Sequence, residues 1–427
     1  MFDKLKPKTE FAHHVSTLMT GSVIAQALPV AVSPILTRIY TAEDFGLLAL
    51  YIAIVAIFSS IAGGRYEFAI ILPKEEKEAI NIFALSFILS VVFSLLLTLL
   101  IVFFYNEING FFTVKIGMWL YFMPISVFFT ALFNFLTLYN NRTKNYKDIA
   151  LSTVIKSSVL VFLQLLIGFF KGGATGLLTG QIFSSFFANM KLLKNIIQTE
   201  YFFSQINRGQ LLLMAKEYIK FPKYQMPNAL LNSFASQMPI FLLSSFFFAS
   251  MVGLYALATR ILFTPLMIIA NANSKVYNQA LAEIHNSNGD SYLFTIKFLK
   301  SLFQKIILPF GLIVLFAPQL FTFIFGEVWR EAGVYTQILS PYILLNVMVS
   351  SVAFIASLLQ QQQKSLLISM VHTTLIVMAI LIGGFFKNIY LSLALYSSVS
   401  VMILLYNLIW MLMILKKDVD IKKGCKC

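Results

Sequence analysis

"VGLYALATR", residues 252–260, runs through apolar residues and ends on Arg260, with apolar sequence on both sides. A near copy occurs earlier, "FGLLALYIA" at 45–53, with Ala53 in place of the arginine. Two questions follow: what surroundings such a run belongs to, and why the pattern recurs with one added charge. Hydrophobic residues make up 59% of the 427 and charged residues 12%, with a mean hydropathy of +0.81. Water-soluble domains carry about 25% charged residues, so this chain belongs in a bilayer.

Apolar runs long enough to cross a ~30 Å hydrocarbon core recur from end to end. In lipid a helix satisfies its own backbone hydrogen bonds, and the alternating pattern of a barrel strand is absent. Hydropathy predicts twelve spans at 15–39, 45–64, 79–104, 116–139, 149–170, 173–194, 224–247, 252–274, 299–325, 334–358, 365–386 and 389–415. The fold class expected is an all-α polytopic membrane protein. Residues 1–195 form an N-terminal lobe of six spans, 196–223 a connecting segment, and 224–427 a C-terminal lobe of six spans with a basic tail.

The net charge of +14 follows topology. With the N-terminus inside, 24 lysines and arginines fall on the cytoplasmic side, among them Lys297, Lys300 and Lys305, and five on the other, Arg38, Lys115, Lys171, Arg330 and Lys387. That bias places both termini in the cytoplasm and adds attraction to anionic headgroups, without calling for nucleic acid. No cleavable signal peptide is expected, because the first apolar run is too long. Cys425 and Cys427, in "KKGCKC", read as a reduced, flexible tail. The outer loops are short and leave no room for a glycosyltransferase or polymerase domain. "QLLLMAKEYIK" (210–220) reads as an interfacial helix.

The repeat extends beyond the opening run. "SVIAQALP" (22–29) pairs with "SFASQMP" (233–239), aligning Ser22 and Gln26 with Ser233 and Gln237, while Gly46 pairs with Gly253. Polar clusters "YNNRTK" (139–144) and "LQQQQK" (359–364) follow the fourth and tenth spans. Six spans separate the equivalents, so the halves share one orientation. Parallel repeats are a secondary-transporter architecture, with the site at the interface of the halves.

Arg260 lies well inside its span, where arginine costs roughly 2.5–3.5 kcal/mol on insertion scales and faces a cavity or partner. Its planar fork suits phosphate, and no acidic residue sits deep in a span to neutralise it. Lys156, Arg38 and Arg65 are further candidate cations, with Arg65 and Glu67 close enough in sequence to pair. Gln26, Ser22, Asn228, Asn232, Gln237, Ser233 and Ser236 form polar stripes able to serve helix packing or line a wet cavity. His372 reads as a packed histidine, and "DVD" (418–420) as solvated charge. No Walker loop, dinucleotide fingerprint, nucleophile elbow or metal-ligand cluster is present, and no cofactor or metal is expected.

At "LTRIYTAEDFGLLALY" (36–51), "GRYEFAIILPKEEKEA" (64–79) and "KEYIKFPKYQMPNALLN" (216–232) the chain resembles the polysaccharide transporters, the Wzx-type O-antigen and capsule flippases of the multidrug/oligosaccharidyl-lipid/polysaccharide exporter superfamily. The resemblance implies a V of two six-helix lobes, as in multidrug and toxin extrusion transporters. It implies alternating access that moves an undecaprenyl-pyrophosphate-linked oligosaccharide from the cytoplasmic to the periplasmic leaflet of a bacterial inner membrane. It also implies cationic cavity residues, a proton or sodium ion as coupling candidate, and a polysaccharide polymerase and chain-length regulator as candidate partners. A drug antiporter of the same fold and a non-transport scaffold for polysaccharide assembly are the alternatives. None of these readings makes the chain an enzyme.

Overall fold

A computed structural model describes residues 10–424, apart from 171, 198–201 and 288. Lys171, Cys425 and Cys427 lie outside the described residues. The described chain is helical throughout, as expected, and forms two compact units, Met1–Gly253 and Leu254–Cys427. Eleven helical segments are long and apolar enough to cross a membrane.

In the first unit, α1 (Glu10–Ile39), α2 (Ala42–Ser59), α3 (Glu76–Phe103), the short α4 (Tyr105–Phe111), α5 (Met123–Arg142), α6 (Tyr146–Phe169) and α7 (Ala174–Ile197) precede α8 (Arg208–Glu217) and α9 (Met226–Phe246). The second unit holds most of α10 (Ala249–Asn286), then α11 (Ser291–Leu315), α12 (Ala317–Phe325), α13 (Arg330–Val352), α14 (Phe354–Leu358), α15 (Gln362–Phe385) and α16 (Ile389–Gly424). The predicted sixth span, α7, is 24 residues long but is not among the eleven apolar segments. Its polar residues turn inward: Ser184, Ser185 and Asn189 are buried, and Asn189 donates to the Phe129 carbonyl at 2.9 Å. The predicted seventh span is α9, which packs on α2 within the first unit. In the predicted interfacial helix α8, Met214 is the buried residue, while Leu212 and Leu213 are exposed.

Polar residues fasten the first unit where hydrocarbon offers no competing water. Tyr40 Oη donates to the Gln164 carbonyl at 2.6 Å, and Gln164 Nε2 donates to the Leu177 carbonyl, which joins α1, α6 and α7. Tyr51 and Ser126 hydroxyls meet at 2.5 Å between α2 and α5. A capping box starts α2: Thr41 accepts from the Asp44 amide and Asp44 accepts from the Thr41 amide. The first polar cluster, "YNNRTK", forms a lock in which Arg142 donates to the Ile70 carbonyl at 3.1 Å and the Pro73 carbonyl at 2.7 Å. Beside it, Asn195 bridges Asn140 and Asp148, and Asp148 pairs with Lys191 at 2.8 Å.

The internal repeat is visible in the element order. A long helix, a short one, a left-handed glycine and a 3-10 turn precede α5, through α3, α4 and Gly117 (φ 62°). The same order precedes α13, through α11, α12 and Gly326 (φ 106°). The turns after the two polar clusters match as well. Lys144 (φ 60°) and Gln360 (φ 55°) adopt the left-handed conformation, and the next amide in each, Asn145 and Gln361, bonds back to the Asn140 and Ala356 carbonyls. This is the wrap by which helices end on a left-handed residue. The following turns match in part: Gly173 (φ 53°) and Lys387 (φ 50°) are both left-handed, and after Lys387 the Asn388 amide bonds back to the Gly383 carbonyl.

The two glycines paired by sequence meet each other's helices. A Cβ on Gly46 would overlap the Ala249 carbonyl, and one on Gly253 would overlap the Ala42 carbonyl. The contact is reciprocal, Ala42/Gly46 against Ala249/Gly253, each a small-x-x-x-small face of the kind that lets membrane helices approach closely. A backbone cannot yield as a side-chain tip can, so Gly253→Ala is expected to destabilise by roughly 1–3 kcal/mol. Gly110→Ala on α4, where nothing lies within 4 Å, is expected to leave stability unchanged or slightly raised. Thermal unfolding of the detergent-solubilised variants checks the pair, and equal melting temperatures would refute the close crossing.

Candidate functional site

The expected site residues divide between the units. In the first, Ser22 and Gln26 are exposed on α1, where Ser22 donates to the Leu18 carbonyl and Gln26 to the Ser22 carbonyl. On α9, Asn228, Asn232 and Ser236 are exposed. Asn232 donates to Asn228 Oδ1 at 3.2 Å, and Gln237 to Ser236 Oγ at 3.4 Å. These bonds stay within one helix and consume only part of each group's capacity. An exposed amide on a membrane-crossing helix otherwise faces lipid at a cost, so these stripes suit a wet surface with donors and acceptors to spare.

Lys156 is the eleventh residue of α6, roughly 15 Å along it. Near one end of the α1–α6 packing Gly21 abuts Ala150, and near the other Tyr40 bonds Gln164, so the two helices run side by side in parallel. Lys156 falls between those points, half-buried, with its Nζ 4.6 Å from the centre of the Phe133 ring on α5. A ring face holds a cation by its quadrupole without neutralising it. The charge therefore stays available to an anion. Arg38 is exposed in the last turn of α1.

Arg65 is more constrained. It adopts φ 64° at the start of a 3-10 turn, its guanidinium lies 4.2 Å from the Phe68 ring centre, and it donates to the Ser60 carbonyl. The pairing with Glu67 is loose, at 3.9 Å. Glu67 is only 3% exposed, and its Oε2 has no hydrogen-bond partner among the described residues. The carboxyl oxygen Oε2 and the Phe135 ring both lie so near Gly63 that a Cβ there would strike them. Burial pushes this carboxyl up to about 7, against the opposing pull of a backbone hydrogen bond and of Arg65. Sequence reading treated Glu67 only as a possible partner for Arg65; its burial depends on the turn closing over α5.

In the second unit Arg260 is the twelfth residue of α10, roughly 16 Å from the helix start, and half-buried. One and a half turns earlier, Tyr255 is buried beside Tyr342 and Tyr396, whose rings lie 5.1 Å apart between centres. This tyrosine cluster brings α10, α13 and α16 together. Single aromatic residues on separate spans carry no motif, so the cluster escaped sequence reading. Lys305 escaped it too: placed with the loop lysines by sequence, it is the fifteenth of 25 residues in α11 and exposed. The polar cluster "LQQQQK" runs from the turn after α14 into the exposed first turn of α15.

His372 packs as expected, with Nε2 3.0 Å from Ser400 Oγ. "DVD" is not wholly solvated, since Asp418 lies 3.4 Å from both Lys422 and His285. Among the described residues no group of three metal-ligand side chains occurs.

The Glu67 geometry generates a pH test. Its folded value lies above the ordinary value of 4.5, so between about pH 4.5 and 7 the folded state keeps a proton that the unfolded state releases. Stability from this group falls as pH rises through that window and is flat above it, a change on the order of 3 kcal/mol. The wild-type chain should melt at a higher temperature at pH 5.5 than at pH 8, and Glu67→Gln should remove most of the difference. A pH slope that survives in Glu67→Gln would contradict the assignment.

Residues 35–334 match the model of a family described as polysaccharide biosynthesis protein. No curated protein matches the sequence. The fold is similar to that of solved transporters. Lipid II flippase MurJ in an inward closed conformation aligns at TM-score 0.69 and 13% identity, over 96% of this chain and 90% of that one. An inward-facing multidrug resistance transporter of the MATE family, within the MOP superfamily, aligns at 0.58 and 16% identity, over 94% and 95%. A MOP superfamily transporter from Pyrococcus furiosus, titled for the reverse polarity of its binding pocket, aligns at 0.57 and 14% identity, over 95% and 96%. The helical, multi-pass architecture is thus that of the MOP transporters, and the chain belongs to the polysaccharide biosynthesis protein family.

Proposed function

We propose that the chain is a flippase that moves an undecaprenyl-pyrophosphate-linked oligosaccharide, such as an O-antigen or capsule repeat unit, from the cytoplasmic to the periplasmic leaflet. The observation that carries the reading is Arg260, a guanidinium roughly 16 Å into a membrane-crossing helix of a polysaccharide-biosynthesis family member. Lysine and arginine bias supports the orientation, with both termini in the cytoplasm of a bacterial inner membrane. In this reading two lobes of six spans, joined near 196–223, alternate access to a cavity. Arg260, Lys156 and Arg38 draw in the diphosphate. Ser22, Gln26, Asn228, Asn232 and Gln237 offer sugars their spare hydrogen-bonding groups. Arg65, spent on Phe68 and Ser60, positions the turn that buries Glu67.

The substrate, membrane lipids and an H+ or Na+ gradient are the partners of this scheme, with a polymerase and a chain-length regulator downstream. No chemical step on the substrate is needed, so the chain is read as a transporter and not an enzyme. The second reading, a drug exporter, draws on the multidrug transporters of similar fold. A cationic drug calls for deep carboxylates, and every described Asp and Glu lies in a loop or within about two turns of a helix end. The distribution of charge favours an anionic cargo.

Arg260→Ala is expected to leave membrane insertion and protein level near normal while reducing export of the glycan by tenfold or more, on the scale of about 1.5–3 kcal/mol for a hydrogen bond to a charged group. Arg260→Lys should retain part of the export, since it keeps the charge but loses the fork. Surface glycan in a strain carrying each variant is the measurement. Normal export by the alanine variant would sink the reading, and loss of assembly without loss of flipping in vesicles would favour the scaffold.

A further inference from the structure

The first unit contains a cavity of about 480 Å³ between α2, α3, α4, α5 and α9, large enough to hold a small ligand. Its floor is apolar and sealed: Ile54, Ile101, Phe112 and Leu120 line it and are each at most 5% exposed. Its rim is open, since Leu100, Phe104 and Phe111 line it while remaining exposed. One charged side chain joins them, the exposed Glu107 on α4. The ion pairs among the described residues involve Glu67, Asp148 and Asp418, so no described cation pairs with Glu107. Two observations set the level of this rim. No charged residue occurs between Glu78 and Glu107, a run longer than the ~20 residues that cross the hydrocarbon core. Beside Glu107, Tyr105 stacks its ring on Tyr121 at 5.1 Å between centres, with Trp119 in the same 3-10 turn as Tyr121. Tyrosine and tryptophan collect at the membrane–water interface. Glu107 therefore sits at headgroup level, and the cavity runs inward from it along α3 as far as Leu97.

A carboxylate at headgroup level over an apolar cavity selects an amphiphile with an ammonium head and a hydrocarbon tail. A second charge at this helix narrows the choice. Exposed Lys115 donates to the Asn109 carbonyl in the last turn of α4 at 3.1 Å, which leaves two of its three N–H groups for a ligand. A carboxylate and an ammonium on one short helix, not paired with each other, complement a zwitterion that carries an ammonium and a phosphate. We infer that this cavity binds a resident aminophospholipid of the phosphatidylethanolamine type, its primary ammonium on Glu107, its phosphate on Lys115 and one acyl chain along Ile101 and Phe112. A primary ammonium donates charge-assisted hydrogen bonds to a carboxylate, which the trimethylated head of phosphatidylcholine has no N–H to do. The same carboxylate repels a head that carries negative charge alone, so this lipid is not the cargo of the flippase reading, and the inference does not depend on that reading. The cavity also backs onto a contact between helices. Phe112, on its floor, packs edge-on to Phe241 of α9 with ring centres 5.0 Å apart. Next to it, Thr113 donates from its amide to the Ser244 carbonyl at 3.0 Å and from its hydroxyl to the Ser245 carbonyl at 2.8 Å. A bound chain fills the space behind this contact, and a ligand held by the folded state alone stabilises it.

The test uses the purified full chain in dodecyl maltoside, with native mass spectrometry counting bound lipid during titration. The probes are phosphatidylethanolamine, phosphatidylcholine, phosphatidylglycerol and dodecyltrimethylammonium. Wild type is expected to hold phosphatidylethanolamine about tenfold more tightly than phosphatidylcholine, the scale of one hydrogen bond to a charged group. Glu107→Gln should remove that preference, while Glu327→Gln, at an exposed carboxylate of the second unit, should keep it. Leu100→Trp, at the exposed rim, should weaken both zwitterionic lipids by occupying the cavity. Phosphatidylethanolamine should also raise the melting temperature of wild type but not of Glu107→Gln. A preference that persists in Glu107→Gln overturns the site, as does unchanged binding in Leu100→Trp or equal binding of phosphatidylglycerol. Binding of dodecyltrimethylammonium as tight as that of phosphatidylethanolamine overturns the lipid assignment in favour of a site for cationic drugs. None of these readouts involves glycan export, so failure of this site and failure of the Arg260 reading are told apart.

Discussion

Hydrocarbon offers a peptide group nothing to bond to, and this constraint shapes the molecule. Each unpaired amide or carbonyl in lipid costs several kcal/mol, so the chain crosses as helices that satisfy themselves. The helices are then assembled by the few polar side chains left over. Tyr40, Gln164, Asn189 and Tyr51 donate to or share bonds with groups on other helices, and each is buried. Apolar packing adds contact without direction, because lipid tails are as apolar as leucine. Polar pairs and close glycine crossings supply the specificity.

The same constraint sorts the cations. Arg142 chelates the carbonyls of residues 70 and 73 at a helix end, where its charge serves the loop. Lys156 rests against Phe133, and Arg65 against Phe68. Lys156, Arg260 and Lys305 all sit more than two turns from either end of their helices. A charge placed there is retained only at a cost, and substrate passage is a reason for retaining it. Glu67 is the inverse case, a carboxyl buried at the edge of a span, where burial outweighs the nearby guanidinium and holds its proton to near neutrality.

The repeat links the two levels. Sequence pairs Gly46 with Gly253 and "YNNRTK" with "LQQQQK". The structure shows why those landmarks recur while the residues around them drift. Gly46 and Gly253 stand where backbones touch, and the two clusters carry the left-handed residues Lys144 and Gln360 that turn one helix into the next. Backbone geometry is duplicated, whereas side chains are free to diverge, which is how Arg260 came to correspond to Ala53 in the repeat.

Helix class, eleven of the twelve predicted spans and the polar landmarks were legible in the sequence, because hydropathy and length act locally and lipid enforces them at every position. The candidate stripes Ser22/Gln26 and Asn228/Asn232 were legible for the same reason, since residues four apart share a helix face. What no linear pattern could carry was burial. Glu67 becomes a proton-holding group only because Gly63 and Phe135 close over it, Tyr255, Tyr342 and Tyr396 become one cluster only when three distant spans meet, and Lys305 leaves the loop only once α11 is seen to begin at Ser291. Local composition decided that the chain would live in a membrane; packing between helices decided which of its polar groups are spent on structure and which remain for a ligand.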